Sequence, residues 1–236
     1  VRALVVFWRL FPFVVAFMRD RRRWIIVGRP RRLSKETHQK RAARLTATVA
    51  ALGPTFIKLA QVFASRADIL PEPYLSEVGR LTDRVPPLPA SAIEAVIVRE
   101  LGKPVHDLFD RFDPDPLAAA SLGQVHRAAL GDREVVVKVL RPGVEELVAV
   151  DLDAAFRILS VVNVVFPNHH TRAITTIVRE FAKRIGEEMD FRQEARNADL
   201  IRANFARDSR LAVPEVVEGL TSRRVLVLQY MEGTRI

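Results

Sequence analysis

Cysteine is absent from all 236 residues, which excludes disulfides, thiolate nucleophiles, thiol redox chemistry and every zinc site that needs a sulfur ligand. Long apolar runs are missing too. The most hydrophobic stretch, VRALVVFWRLFPFVVAFM, is interrupted by Arg2, Arg9 and Pro12 and falls short of the roughly 20 uninterrupted residues of a bilayer-crossing helix. Glycine-rich phosphate loops are likewise lacking: Gly102-Lys103 is followed by Pro104 rather than Ser or Thr and has no preceding Walker glycine. His169 and His170 are adjacent, which turns them apart on a helix, so they read as loop residues rather than metal ligands. No Ser/His/Asp arrangement is readable from spacing, and there is no internal repeat.

What is present is ample core material and an uneven charge. Apolar residues make up 49% of the chain, enough for one large domain or two small ones. The net charge of +9 belongs to one end: residues 1–50 hold 13 Lys/Arg against 2 Asp/Glu, while residues 51–236 hold 24 against 26. The apolar start runs on into RDRRRWIIVGRPRR. Residues 1–33 therefore read as a basic apolar membrane-associating segment suited to an anionic leaflet; the competing reading is a helix buried against the rest of the protein. A nucleic-acid partner is not expected, since no finger, RNP or helix-turn-helix pattern accompanies the arginines. The chain begins with Val and stops inside an apolar strand pattern, RVLVLQYMEGTRI, so both ends read as cut.

From Ser34 to about residue 105 the period is helical. Leu45, Val49 and Leu52 recur at helical spacing, Gly53-Pro54 ends one helix and starts another, and Ile57, Ala60 and Ala64 share a side of the second. A short helix follows from Tyr74 to Leu81. In SAIEAVIVRELG, Ser91 and Glu94 fit a capping box and Gly102 a C-terminal stop. Near Pro116 the period changes: PLAAASLGQVHRAAL, a GDRE turn and VVVKVL read as antiparallel strands. Two long helices are expected next, residues 144–166 and 172–205, and then a strand pair around Thr221-Ser222. The fold class is α+β.

Lys138 interrupts the apolar run Val135-Val136-Val137-Val139 and shares a strand face with Val136 and Leu140. Such an ammonium needs an anion if that face is buried; an edge strand with its lysine in solvent is the plainer alternative. Glu187, Glu188, Asp190 and Glu194 supply candidate anions in EEMDFRQEARNADL, although Arg184, Arg192 and Arg196 could equally hold them in exposed pairs. A meander with a lysine on its third strand, then a long acidic helix and two more strands, follows the order of a protein-kinase N-lobe. There the lysine holds nucleotide phosphates and a helix glutamate holds the lysine. Where a conventional kinase has three glycines over the phosphates, this chain has LAAASLGQV with only Gly123; alanine limits backbone approach and flexing, so a stiffer loop is expected.

PLAAASLGQVHRA, VVVKVLRPGV, EEMDFRQEARNA and the upstream LGPTFIKLAQVFASRADILP together resemble the UbiB/AarF family of atypical protein-kinase-like proteins, over about Ser34 to Gly233. The resemblance implies a kinase-like N-lobe over residues 106–236, ending at the hinge, and an N-terminal helical extension over 34–105. Its K-x-G-Q signature is matched by Lys58 and Gln61, with Ala60 where the family usually has glycine. By resemblance Lys58 pairs with Glu188 of an E-x-D motif and Lys138 with Glu194, these four being the catalytic set. Nucleotide (ATP or ADP, with Mg2+) is expected at Ala118, Ala119, Ala120, Ser121, Lys138 and Gln61, with Tyr230 and Met231 at the adenine end. The implied activity is ATP hydrolysis or a small-molecule kinase reaction supporting ubiquinone or another isoprenoid-quinone metabolism at the cytoplasmic face of a membrane, with a membrane lipid or quinone precursor as partner. No H-R-D-like or D-F-G-like segment occurs in the chain, so the metal ligands are expected beyond Ile236 and these residues alone are expected not to turn over ATP. The rival functions are a non-catalytic pseudokinase scaffold and a basic nucleic-acid binder, the latter predicting steep salt dependence.

Overall fold

The computed structural model describes residues 2–20, 34–66, 70–81, 85–165, 167, 169–208 and 210–233. The arginine-rich part of the N-terminal segment, residues 21–33, lies outside the described residues. In chain order the helices are α1 (Arg2–Asp20), α2 (Lys35–Leu52), α3 (Pro54–Ala64), α4 (Tyr74–Gly79), α5 (Ala90–Leu101), α6 (Val105–Leu108), α7 (Val144–Val165), α8 (His169–Glu188) and α9 (Phe191–Asn204). The strands are β1 (Arg111–Phe112), β2 (Ala118–Ala119), β3 (Gly123–Leu130), β4 (Arg133–Leu140) and β5 (Val225–Gln229). The chain divides into two compact units, Val1–Asp83 with Glu146–Ala182, and Arg84–Glu145 with Lys183–Ile236.

The first unit is helical, as the spacing of its apolar residues requires. Ser34 caps α2 by accepting from the Thr37 amide at 3.3 Å. Gly53, at φ +106°, breaks the chain, and Pro54 opens α3, where its missing N–H costs nothing. Val49, Leu52, Phe56, Ile57 and Ala60 are buried along the two helices. Helix α1 is docked by polar as well as apolar contacts. Arg2 Nε donates to Asp151 Oδ1 at 2.6 Å, Arg2 Nη2 to the Leu52 carbonyl at 2.5 Å and Arg9 Nη1 to the Ala51 carbonyl at 3.2 Å, while Val6 is buried. One side of α1 is packed, as the buried-helix reading expects, and the other exposes Leu4, Trp8, Phe11 and Val15.

The second unit is an antiparallel sheet in the order β1-β3-β4-β5, with β2 also pairing β3. The β3–β4 hairpin turns through Gly131-Asp132, with Leu130 opposite Arg133 and Gly131 at φ +58°, a conformation that suits glycine. Period-two alternation then splits the sheet. Val135, Val137 and Val139 point to one face with Ala128, Val225 and Val227, where Ile93, Val96 and Ile97 of α5 cover them. Fully burying each of these larger side chains is worth about 1.5–3 kcal/mol.

Four expectations need correction. Strand β4 is central, between β3 and β5, so the edge-strand reading of Lys138 fails. The helix expected over 172–205 is two helices: Asp190 leaves helical conformation at φ −115°, accepts from the Arg192 amide at 3.1 Å and caps α9. Ser91 and Glu94 make no capping box, because α5 starts at Ala90 with Pro89 as its N-cap and no side-chain cap bond. The first strand of the pair expected around Thr221-Ser222, VPEVVEGL, does not form; it touches the sheet at an isolated bridge, Val216 to Leu228, and then winds into a 3-10 turn over Glu218–Leu220.

Candidate functional site

The face of the sheet opposite α5 carries Lys138. Register places it between Val125 on β3 and Leu226 on β5. Its Nζ donates to both oxygens of Glu194 on α9, at 2.9 Å and 2.6 Å. The same nitrogen lies 4.7 Å from the centre of the Phe191 ring, which is itself buried, a cation–π contact. Glu194 reaches the lysine because the chain bends at Asp190: the cap starts α9 afresh and turns its first two turns, with Phe191 and Glu194, onto the sheet. The Phe191 amide is tied to the Arg223 carbonyl at 2.9 Å. The ammonium is therefore paired yet not buried, with side-chain exposures of 33% for Lys138 and 45% for Glu194. The pair's contribution to stability is small, about 0–1 kcal/mol. Its value is orientation and remaining capacity, since an ammonium has three donors and Glu194 takes two.

The alanine-rich loop enters through β2, with Ala118 opposite Val125 and Ala119 opposite Gln124. It closes where the Ala120 amide donates to the Gly123 carbonyl at 2.9 Å. Gly123 is required by close approach: a Cβ there would sit 2.8 Å from the Val139 carbonyl oxygen. Ser121 is buried, and its hydroxyl has no partner among the described residues. Beneath the loop is a polar relay in the core. Gln124 accepts from the Leu88 amide and donates to the Leu88 carbonyl at 3.4 Å, and its amide nitrogen lies 3.3 Å from His126 Nε2. His126 Nδ1 lies 2.9 Å from the Asp113 carbonyl, so in the neutral ring Nδ1 donates and Nε2 accepts. His126 is fully buried, a packed histidine.

At the other end of the face, the Tyr230 amide donates to the Glu134 carbonyl at 2.9 Å and the Arg127 guanidinium lies 4.3 Å over the Tyr230 ring. Glu134 accepts from Arg127 at 2.8 Å and from Arg111 at 2.6 Å. The Arg127 hydrogen bond, with the one from Arg111, holds the Glu134 carboxyl below the usual carboxylate range, and Glu134 in turn raises Arg127. Met231 is exposed.

Of the expected site residues, Lys138 and Glu194 come together, and the loop 118–121 lies on the strand hydrogen-bonded to β4. Lys58 is half-buried on α3, and Gln61 donates to the Leu81 carbonyl at 3.1 Å; both belong to the first unit. Glu188 ends α8 in the second unit. Sequence reading missed Phe191 as the ring under the ammonium and the half-buried row Val125, Val136 and Leu228, which the register aligns on the Lys138 face. The signal for Phe191 is its position directly after Asp190, the residue that caps α9. Among the described residues no three of His, Asp and Glu gather as a metal site. Nor is any described helix long and apolar enough to cross a membrane.

An antiparallel sheet whose central lysine is held by both oxygens of a helix glutamate defines a kinase-like N-lobe. Residues 80–236 match the ABC1 atypical kinase-like domain, and the chain belongs to that family. It is 42% identical over 187 residues to the chloroplastic protein Activity of bc1 complex kinase 8 of Arabidopsis thaliana, covering 78% of this chain and 25% of that protein. It is 34% identical over 208 residues to the probable protein kinase UbiB of Marinobacter nauticus, covering 88% and 38%. Among solved structures, the Rv3197–erythromycin complex of Mycobacterium tuberculosis is similar at a TM-score of 0.57 and 32% identity, over 84% of this chain and 50% of that one. The chain thus spans a quarter to two fifths of the length of these two relatives.

Proposed function

We propose that this chain is the nucleotide-holding part of an ATPase or small-molecule kinase that supports ubiquinone or another isoprenoid-quinone metabolism at a membrane. The observation that carries the reading is Lys138: oriented by both oxygens of Glu194, seated over Phe191, and still a third exposed with one donor to give. In this reading Lys138 donates to a phosphate oxygen, and Glu194 keeps the ammonium charged and aimed. Ala118, Ala119, Ala120 and Ser121 border the phosphates. The apolar row Val125, Val136 and Leu228 covers the purine, and backbone near Tyr230 and Met231 meets its edge. Mg2+, when bound with ATP, would neutralise phosphate charge. Lys58, Gln61 and Glu188 take part in the same nucleotide chemistry by family resemblance.

The membrane part of the proposal is supported by α1. Leu4, Trp8, Phe11 and Val15 fall four, three and four residues apart and are 62%, 65%, 39% and 39% exposed, an apolar stripe of the kind that lies in a leaflet surface. The arginines of residues 19–32 follow it in sequence.

Nucleotide titration of the full-length protein tests the reading. Lys138→Met is expected to weaken ATP binding by at least about tenfold, the scale of one lost charged hydrogen bond. Lys58→Ala is expected to change the ratio of ATP to ADP affinity. Unchanged titrations for both variants would overturn the assignment.

A further inference from the structure

We propose that Arg141 is a positioning residue that fixes the alanine-rich loop, residues 118–123, against the proline-rich strap of residues 85–89. Its role toward nucleotide rests on the reading above; its hold on the loop does not.

Arg141 is the first residue after β4, three positions beyond Lys138. Its Nη1 donates to the Ala120 carbonyl at 3.2 Å and its Nη2 to the Pro86 carbonyl at 3.0 Å. Its own amide donates to the Leu122 carbonyl at 2.9 Å. One residue therefore grips the loop at two carbonyls and the strap at a third. The strap is held a second time, by Gln124, which engages both the amide and the carbonyl of Leu88. The two ties fall on either side of Pro87. With Pro86, Pro87 and Pro89 fixing φ along VPPLP, the strap is a stiff anchor rather than a passive linker.

The chemistry of Arg141 points the same way. No carboxylate partners it among the described residues, and burial pushes its guanidinium below the usual arginine range. A charged group held in a partly desolvated place by backbone carbonyls alone contributes geometry. The loop needs such an anchor, because alanine Cβ atoms restrict its backbone and its position depends on what grips it. Arg141 thus sets the distance between the loop amides and the Lys138 ammonium, which must match the span of neighbouring phosphates. A lysine is a poor replacement, since the guanidinium gives each carbonyl its own nitrogen at a fixed spacing, whereas an ammonium must reach both carbonyls from a single nitrogen.

The test uses Arg141→Gln and Arg141→Lys in the full-length protein. Hydrogen exchange is followed at the Ala120 amide and its loop neighbours, with the β3–β4 hairpin as internal reference. Arg141→Gln is expected to speed loop exchange by about tenfold or more while the hairpin keeps its protection. ATP and ADP affinity should fall by about tenfold, and adenosine, which has no phosphates, should bind within about twofold of wild type. Arg141→Lys should restore little of either. Unchanged loop exchange would overturn the proposal, and so would equal weakening of ATP and adenosine, which marks a general structural role. If the wild-type protein binds no nucleotide and Lys138→Met changes nothing, the nucleotide reading fails and loop exchange alone decides the role of Arg141.

Discussion

Strand β4 presents two different chemistries on its two faces. On the α5 side, Val135, Val137 and Val139 are fully buried, and the polar groups of the adjoining strand, Gln124 and His126, are bonded to Leu88, to each other and to the Asp113 carbonyl. On the other side, Val136 and Lys138 are half-buried, and the ammonium keeps a donor beyond its two bonds to Glu194. One face is closed in the sense that every group there is used. The other is held in shape while leaving capacity for a ligand. A strand with period two can carry both, because successive side chains never share a face, and stability and binding are thereby separable.

The strongest way to test that separation is to damage the closed face. Ile97→Ala removes a fully buried side chain that packs on Val135 and its neighbours and should cost about 2–5 kcal/mol of stability. Nucleotide affinity measured well below the new Tm should stay near wild type; a parallel collapse would mean that the two faces are coupled. Lys138→Met is the mirror experiment. Its stability change should stay within about 1 kcal/mol, because the ion pair is only partly withdrawn from solvent, while phosphate binding falls. A large drop in Tm would show that Lys138 is structural after all.

This separation also explains what could be read in the sequence. The hairpin was legible because Gly131-Asp132 and alternating valines are local signals, and the Gly53-Pro54 helix junction was legible for the same reason. Lys138 and Glu194 could be matched only through motif resemblance, since they lie 56 residues apart and no spacing rule links them. The central position of β4 was hidden because it depends on β5, which follows from nearly ninety residues away along the chain. The α8–α9 break was hidden differently. Acidic and basic residues continue at helical spacing through residues 187–196, so periodicity runs over a cap that one side chain creates.

That cap supplies the smallest and most specific test. Asp190 accepts from the Arg192 amide and, through both oxygens, from its guanidinium at 2.9 Å and 2.7 Å. The Arg192 side chain is the main cause that holds the Asp190 carboxyl below the usual aspartate range, outweighing the opposing effect of burial. A depressed folded-state pKa means that the unfolded chain takes up the proton first, so the contribution is complete above about pH 4 and is lost as pH falls further, through the folded value. Asp190→Ala should cost about 1 kcal/mol at pH 7, the usual worth of an N-cap. Asp190→Asn keeps an acceptor for the Arg192 amide and should cost less at pH 7, while flattening the acid limb of the stability curve. Because the cap also aims Phe191 and Glu194 at Lys138, Asp190→Ala should weaken ATP more than adenosine, whereas Ile97→Ala should not discriminate between them. An Asp190→Ala protein with wild-type ATP binding would mean that α9 is held in place by its packing on β5 and the Phe191–Arg223 backbone bond, without help from the cap.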